Sequence, residues 1–174
     1  MDKDFGSSYI HTADRLLSLD PELCRVDVTE FLSLYKSGEN QQVQGNLNQA
    51  ITFYKKATAL YGGDFLPEEP YLPWVEKRRE ELRGTYLDLL ERVSRFYENQ
   101  GTLGRAIEYC KKAIQADPLL EPAYRRLMTL YARRGMRAEA LRTYEACKKA
   151  LARELDTAPE EVTTAIFRKI QESG

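Results

Sequence analysis

The chain has 174 residues, of which 43% are hydrophobic, and its 26 basic and 27 acidic residues leave a formal net charge of −1. This length fits a single domain with its own hydrophobic core. No apolar run approaches the roughly 20 residues that span a bilayer, and the first residues form neither a basic nor an apolar leader. We therefore expect a cytoplasmic protein that makes no contact with a membrane.

The sequence offers few side chains suited to catalysis or metal binding. Cys24, Cys110 and Cys147 are far apart and lack the C-x-x-C spacing of zinc and redox sites, so we expect reduced thiols. Cys110 and Cys147 are expected to fill apolar space in equivalent hairpins. His11 is the single histidine, and every mechanism that uses a histidine base would depend on it. We expect a protein that is not an enzyme, with no catalytic residue, cofactor or metal.

Residues 1–28 do not follow a helical pattern. Short β-compatible runs occupy residues 9–11, 15–19 and 23–28, and Asp20-Pro21-Glu22 predicts a turn between the last two. This pattern predicts a β-hairpin, with the first helix starting at about Thr29. We therefore divide the chain into an N-terminal segment, residues 1–28, and a helical domain, residues 29–174.

The helical domain contains three related units. The string at residues 50–57 recurs at residues 106–113, an offset of 56, and more loosely at residues 140–147, a further 34 residues on. Apolar residues in the units are spaced by three and four, as on one face of a helix, and a glycine ends the helix before each string. These glycines are Gly45, Gly101 and Gly135. Each unit is therefore predicted to be a helical hairpin.

A helical hairpin repeated after 34 residues, with this order of small and aromatic residues, resembles the tetratricopeptide repeat (TPR). The resemblance implies an all-α, right-handed array of three hairpins with a C-terminal capping helix, preceded here by a short β-hairpin. Small residues would let paired helices approach closely, and larger ones would fill the space between hairpins. The expected packing residues are Ala50, Tyr54, Trp74, Tyr97, Gly101, Ala106, Tyr124, Leu127, Tyr131, Gly135, Ala140 and Tyr144.

The first unit is 22 residues longer than the repeat, and the excess lies around residues 61–73. Glycines and prolines there predict a turn-rich loop, and the proline-free stretch from Trp74 to about Asn99 predicts one long helix. Trp74 is expected to pack on the preceding loop, against Phe65 and Leu66. Near the C-terminus, Thr157-Ala158-Pro159-Glu160 has the spacing of a capping box and predicts the start of the capping helix.

Taken together, these segments resemble the bacterial transcriptional activator domain, the helical module of SARP-type activators. The stretches that carry the resemblance lie at residues 26–31, 59–66, 74–82, 117–122, 127–128, 135–141 and 154–159. In that family the module follows a winged-helix DNA-binding domain, and residues 15–28 resemble the closing hairpin of that domain. The resemblance implies a regulatory domain that associates with itself, as in a homodimer, and contacts the DNA reader or RNA polymerase. DNA itself would be contacted only indirectly or through phosphates.

Basic residues concentrate in the last two repeats, because residues 71–153 hold 18 basic and 11 acidic side chains. A surface of this kind suits DNA phosphate or an acidic face of RNA polymerase. Alternatively, these residues form a solvent-exposed face of the repeats whose positive charge is balanced by neighbouring glutamates. The candidate partner-binding residues are Arg95, Arg125, Arg126, Arg133, Arg134 and Arg137.

Two other functions stay open on the sequence alone. The chain could be a stand-alone TPR adaptor that binds a peptide, or a ligand-sensing helical-repeat module of a large regulator. The helical stripes that would line the inner face carry mixed charge, with Glu91, Arg95 and Glu98 on one and Arg125 and Arg133 on the next. This mixture argues against a clamp built for a terminal carboxylate.

Overall fold

A computed structural model describes the chain at residues 10–13, 16–19, 26–69 and 71–172. Two short strands, β1 (Ile10–Ala13) and β2 (Leu16–Leu19), precede the helices. The helices are α1 (Asp27–Val43), α2 (Leu47–Leu60), α3 (Pro73–Asn99), α4 (Leu103–Ala116), α5 (Glu121–Arg133), α6 (Arg137–Leu155) and α7 (Glu161–Glu172).

The N-terminal hairpin is present, but its strands differ from the predicted pair. β1 runs antiparallel to β2, with Ile10 opposite Leu19, whereas the expected partner of β2 was the stretch at residues 23–28. Of that stretch, residues 23–25 lie outside the described residues, and Asp27 opens α1 two residues before the predicted start. Acidic residues in the first turn favour a helix N-terminus, which explains why Asp27 and Val28 lie in α1 and not in a strand.

Three helical hairpins follow one another, as the internal repeats predicted. α1 packs with α2, α3 with α4, and α5 with α6, while α4 also packs on α5, the first helix of the next hairpin. The turns place Gly45, Gly101 and Gly135 at φ of +79°, +70° and +71°, a backbone conformation that glycine adopts without strain. The TPR-like architecture is therefore confirmed, and the glycines act as the predicted helix ends.

Most of the expected packing residues are buried in the core, whereas Gly101, Gly135 and Trp74 are exposed. Ala50, Ala106 and Ala140 are buried at the same position of α2, α4 and α6, where the two helices of each hairpin approach. Trp74 makes the expected edge contact with Phe65, with ring centroids 6.2 Å apart, yet it remains 60% exposed. α3 has 27 residues and α4 has 14, so the first turns of α3 extend beyond their partner.

The capping helix starts later than predicted and is held from another repeat. α7 begins at Glu161, so Thr157 is not its N-cap. The Glu160 backbone N–H donates to both carboxylate oxygens of Glu121 on α5, at 3.0 and 3.1 Å, and the Thr163 hydroxyl donates to the same carboxylate. A carboxylate that accepts the first N–H groups stabilises a helix start, so Glu121 replaces the predicted local capping box.

Candidate functional site

Two of the candidate arginines join neighbouring repeats. Arg126 and Arg133 of α5 each donate to one carboxylate oxygen of Glu98 on α3. Arg126 also donates to the Ser94 hydroxyl at 3.2 Å. Because Glu98 neutralises part of their charge and they cross-link two hairpins, both side chains have a structural role.

Two further candidate arginines hold the capping helix. Arg125 donates to Glu160 at 2.9 Å and to the Thr163 hydroxyl at 3.0 Å, next to the first turn of α7. Arg137 donates to the carbonyl oxygens of Ile170 and Gln171, at 3.2 and 2.7 Å, near its last turn. A cation at a helix C-terminus interacts favourably with the helix dipole. The two arginines therefore fasten both ends of α7.

Arg95 and Arg134 complete the predicted set and lie on the surface. Arg95 bonds to Glu91 one turn earlier on α3, with 2.6 Å between nitrogen and oxygen. Arg134 is exposed and follows α5, with its guanidinium beside Gly104 at the start of α4. The predicted basic surface is thus mostly a set of internal contacts, and its role in partner binding stays a prediction.

A cavity of about 360 Å³ lies between α3, α4 and α5. Its lining includes Leu90, Tyr109 and Ala113, together with the charged side chains of Arg95 and Arg126. Cavities of this size fall at the lower end of the range that holds small ligands. Asp88 and Glu91 also line it, so the cavity combines apolar surface with charges of both signs and suits a short peptide segment.

The two cysteines in the part of the chain that the structure describes are buried, free thiols, while Cys24 lies outside that part. Burial raises the pKa of Cys110, whose sulfur lies 3.2 Å from the Ser94 hydroxyl. Burial and the nearby Glu121 carboxylate raise the pKa of Cys147 to about 11. A buried thiol with a raised pKa is a poor nucleophile and metal ligand, as expected for a packing residue.

The loop between α2 and α3 presents an apolar surface that the sequence analysis missed. Leu66, Tyr71, Leu72 and Trp74 are 39%, 92%, 40% and 60% exposed, respectively. We call these four residues the apolar loop patch. Large aromatic and aliphatic side chains exposed near one another are typical of protein-interaction surfaces.

A buried arginine fixes the backbone of this loop. Arg79 of α3 is 8% exposed and donates through Nε to the Phe65 carbonyl oxygen at 2.7 Å. Its Nη2 donates to the carbonyl oxygens of Leu66 and Glu69, and its Nη1 to the Glu76 carboxylate at 3.1 Å. A turn-rich loop leaves carbonyl groups without ladder partners, and the guanidinium supplies the missing donors. Arg79 was not singled out from the sequence; the signal that would have pointed to it is a turn-rich loop whose carbonyl groups need donors.

A second cavity of about 360 Å³ adjoins the apolar loop patch. The first turn of α1 contributes Asp27 and Val28 to its wall, and the loop contributes Phe65 and Leu66. Because α1 begins here, whatever precedes residue 26 enters the helical domain beside this cavity.

Among the described residues, no helix is both long and apolar enough to cross a membrane. The same residues contain no group of three or more His, Cys, Asp or Glu side chains placed to hold a metal ion.

Comparison with known proteins places this fold in a family. The bacterial transcriptional activator domain model matches residues 26–171. The regulatory protein AfsR of Streptomyces griseus is 28% identical over 149 residues, which are 86% of this chain and 15% of that protein. The chain therefore covers only a small part of this relative's length.

Solved structures share the architecture. Mycobacterium tuberculosis EmbR superposes with a TM-score of 0.69 at 20% identity, over 95% of this chain and 44% of that one. The Sgt2 TPR domain from Aspergillus fumigatus superposes with a TM-score of 0.53 at 15% identity, over 83% of this chain and 78% of that one. These likenesses show the fold. The match over residues 26–171 shows that the chain belongs to the bacterial transcriptional activator domain family.

Proposed function

We propose that the chain is the regulatory protein-interaction domain of a bacterial transcriptional activator. In this role it associates with itself and contacts the DNA reader or the transcription machinery, with RNA polymerase or regulator subunits as partners. The observation that carries the proposal is the apolar loop patch, a solvent-exposed surface that a protein partner can bury. Beyond family membership, this assigns the partner contact to the apolar loop patch and names the class of partner.

The composition of the patch supports a protein partner. Tryptophan and tyrosine dominate the binding energy of protein interfaces because each buries a large area with few rotatable bonds. Arg79 holds the loop backbone in place before a partner arrives. A preorganised loop loses little conformational entropy on binding, which raises affinity.

The position of the patch supports a contact with an upstream DNA reader. The cavity beside it is walled by the start of α1, so a domain joined through residues 1–28 would lie close to the patch. On this proposal residues 1–28 remain the connecting segment and residues 29–174 the interaction domain.

A tethering experiment tests the proposed function. The chain is fused to an unrelated sequence-specific DNA-binding domain whose operator lies upstream of a weak bacterial promoter, and transcription is measured with a reporter. We expect the fusion to raise transcription and the Tyr71→Ala/Trp74→Ala variant to lose most of that increase. Both side chains are largely exposed, so the double variant should keep its helical circular dichroism.

Val43→Ala/Leu47→Ala is the matched control, because both residues are exposed apolar side chains at the turn between α1 and α2. It should leave activation unchanged. No activation by the original fusion, together with no binding of purified RNA polymerase, would contradict the proposed function. Equal loss in the two double variants would contradict the assignment to the patch.

A second candidate function is peptide binding in the cavity between α3, α4 and α5. The first TPR of Spaghetti (RPAP3), which superposes with a TM-score of 0.53 at 18% identity, was solved with an HSP90 peptide. Here the cavity offers an apolar floor with Arg95 and Arg126. Acidic peptides that raise the melting temperature, with the rise lost in Arg95→Ala, would favour this function.

A further inference from the structure

The cations of the helical domain fall into two groups with different surroundings. Most arginines of α3 and α5 bond to carboxylates, as Arg92, Arg95, Arg126 and Arg133 illustrate. Four exposed cations of α2 and α4 lie instead against tyrosines. α2 contains no acidic residue, and Glu108 is the single acidic residue of α4. The positive charge of these second helices therefore reaches the solvent with little compensation.

The centre of the second group is the hydroxyl of Tyr97, at the end of α3. Arg105 donates to it from α4 at 3.1 Å and lies over the ring, and Lys55 approaches it from α2. Burial alone would raise the pKa of Tyr97, but the hydrogen bonds and charges of Arg105 and Lys55 outweigh burial and lower it. Two exposed cations from different repeats thus converge at one oxygen.

The same arrangement continues along the array. Tyr97 stacks on Tyr109 with 5.8 Å between ring centroids, and the Lys112 ammonium lies 5.2 Å from the centroid of the Tyr109 ring. The neighbouring Lys111 lies 5.8 Å from the centroid of Tyr131, the residue one repeat after Tyr97. Tyrosine faces attract cations at these distances and so restrict the lysine side chains.

We name these four exposed cations the tyrosine-backed cluster: Lys55, Arg105, Lys111 and Lys112. Among the described residues none of the four forms an ion pair.

We propose that the tyrosine-backed cluster binds the phosphate backbone of double-stranded DNA without reading its sequence. Three of its four cations are lysines. A lysine ammonium binds phosphate as a point charge and does not select the hydrogen-bonding edge of a particular base. Tyr97 and Tyr131 are buried, and the half-buried Tyr109 ring lies between Tyr97 and Lys112. The rings therefore orient the cations and leave no open face to stack on an unpaired base. This inference rests on the proposed function, which brings the domain close to promoter DNA.

A salt titration with the full chain tests the proposal. Binding to a fluorescent random duplex of about 30 base pairs is followed by anisotropy from about 50 to 200 mM salt. The Lys55→Gln/Lys111→Gln/Lys112→Gln variant should weaken binding at least tenfold at the lowest salt. Each lost phosphate contact should flatten the slope of log K against log salt by about 0.9, or nearly 3 for the triple variant.

The matched control, Lys36→Gln/Lys77→Gln/Lys149→Gln, removes three exposed lysines from α1, α3 and α6. It should keep the original affinity and slope, as should the conservative variant in which the three cluster lysines become arginines. Because the net charge of the chain is −1, binding at this surface reflects the local cluster and not the overall charge.

Three results would overturn the inference. These are no duplex binding at about 50 mM salt, equal weakening by the two glutamine variants, or tighter binding of an acidic peptide than of the duplex. The last result would assign the surface to a protein partner. Activation by the tethered fusion together with no duplex binding would refute this inference alone. Duplex binding with neither tethered activation nor binding of purified RNA polymerase would refute the proposed function.

Discussion

Replacing Gly38 by alanine should destabilise the protein, although alanine is the better helix former. Gly38 is buried in α1, and a Cβ atom there would lie 2.2 Å from Cε1 of Tyr54 on α2. That ring has little freedom, because its hydroxyl donates to Gln42 at 2.9 Å and Arg92 lies over its face. Overpacking of this severity costs about 3 kcal/mol, and the helix preference of alanine offsets about 1 kcal/mol. The net loss is about 2 kcal/mol.

Thermal and urea unfolding followed by circular dichroism measure this loss, which should lower the melting temperature by roughly 4–8 °C. Gly84→Ala is the control, since Gly84 also lies within a helix but has open space at its Cβ position. It should raise stability by about 1 kcal/mol. Equal stability of the two variants would refute the close contact between α1 and Tyr54. Tyr54→Leu in the Gly38→Ala background should recover part of the loss from the clash.

Three other predictions follow from the site geometry. Arg133→Glu should lower the melting temperature, because it places a second carboxylate beside Glu98. The control variant Arg134→Glu should leave the melting temperature unchanged. Equal effects of the two variants in thermal scans would contradict the contact between Arg133 and Glu98. Glu121→Gln should speed amide hydrogen exchange in α7 more than in the other helices, because the bidentate acceptor of its first turn is weakened. The Cys147 thiol should resist alkylation at pH 8 until denaturant is added, since its pKa is raised to about 11.

The raised pKa of Cys147 also fixes the sign of one pH effect. The folded thiol stays protonated up to about pH 11, while the unfolded thiol ionises near its ordinary value of about 8.5. Between these values the folded state binds more protons, so this thiol lowers stability as the pH rises. Cys147→Ala should therefore reduce the alkaline loss of stability in urea unfolding at pH 8 and pH 10.

The sequence predicted those parts of the fold that are encoded locally. Spacing of apolar residues and the turn glycines, such as Gly101, mark helices and their ends within a few residues of chain. The start of α7 escaped prediction because its N-terminal acceptor, Glu121, lies 39 residues away in sequence from Glu160. The exposure of Trp74 was not predicted, because it depends on where the partner helix α4 ends.

The candidate site was harder to predict because sequence shows where charge is, but not which charge is neutralised. Five of the six arginines chosen from sequence lie within residues 125–137, yet Glu98 alone accepts from two of them. Arginine suits such internal contacts, since its planar guanidinium donates in several directions at once. Arg79 illustrates the same property in the loop, where one side chain serves three carbonyl groups.

Lysine side chains behave differently from arginine side chains, and this difference determines which positive charges remain at the surface. An ammonium is strongly hydrated, so it gains little from an internal pair and tends to remain in the solvent. Accordingly Arg92 and Arg126 form ion pairs. Lys111 and Lys112 are instead exposed over tyrosine rings, and Lys55 is exposed beside the Tyr97 hydroxyl. We therefore infer two roles for the basic side chains of the helical domain. Arginines hold the repeats and α7 together, and the lysines of α2 and α4 are left to meet an anionic partner.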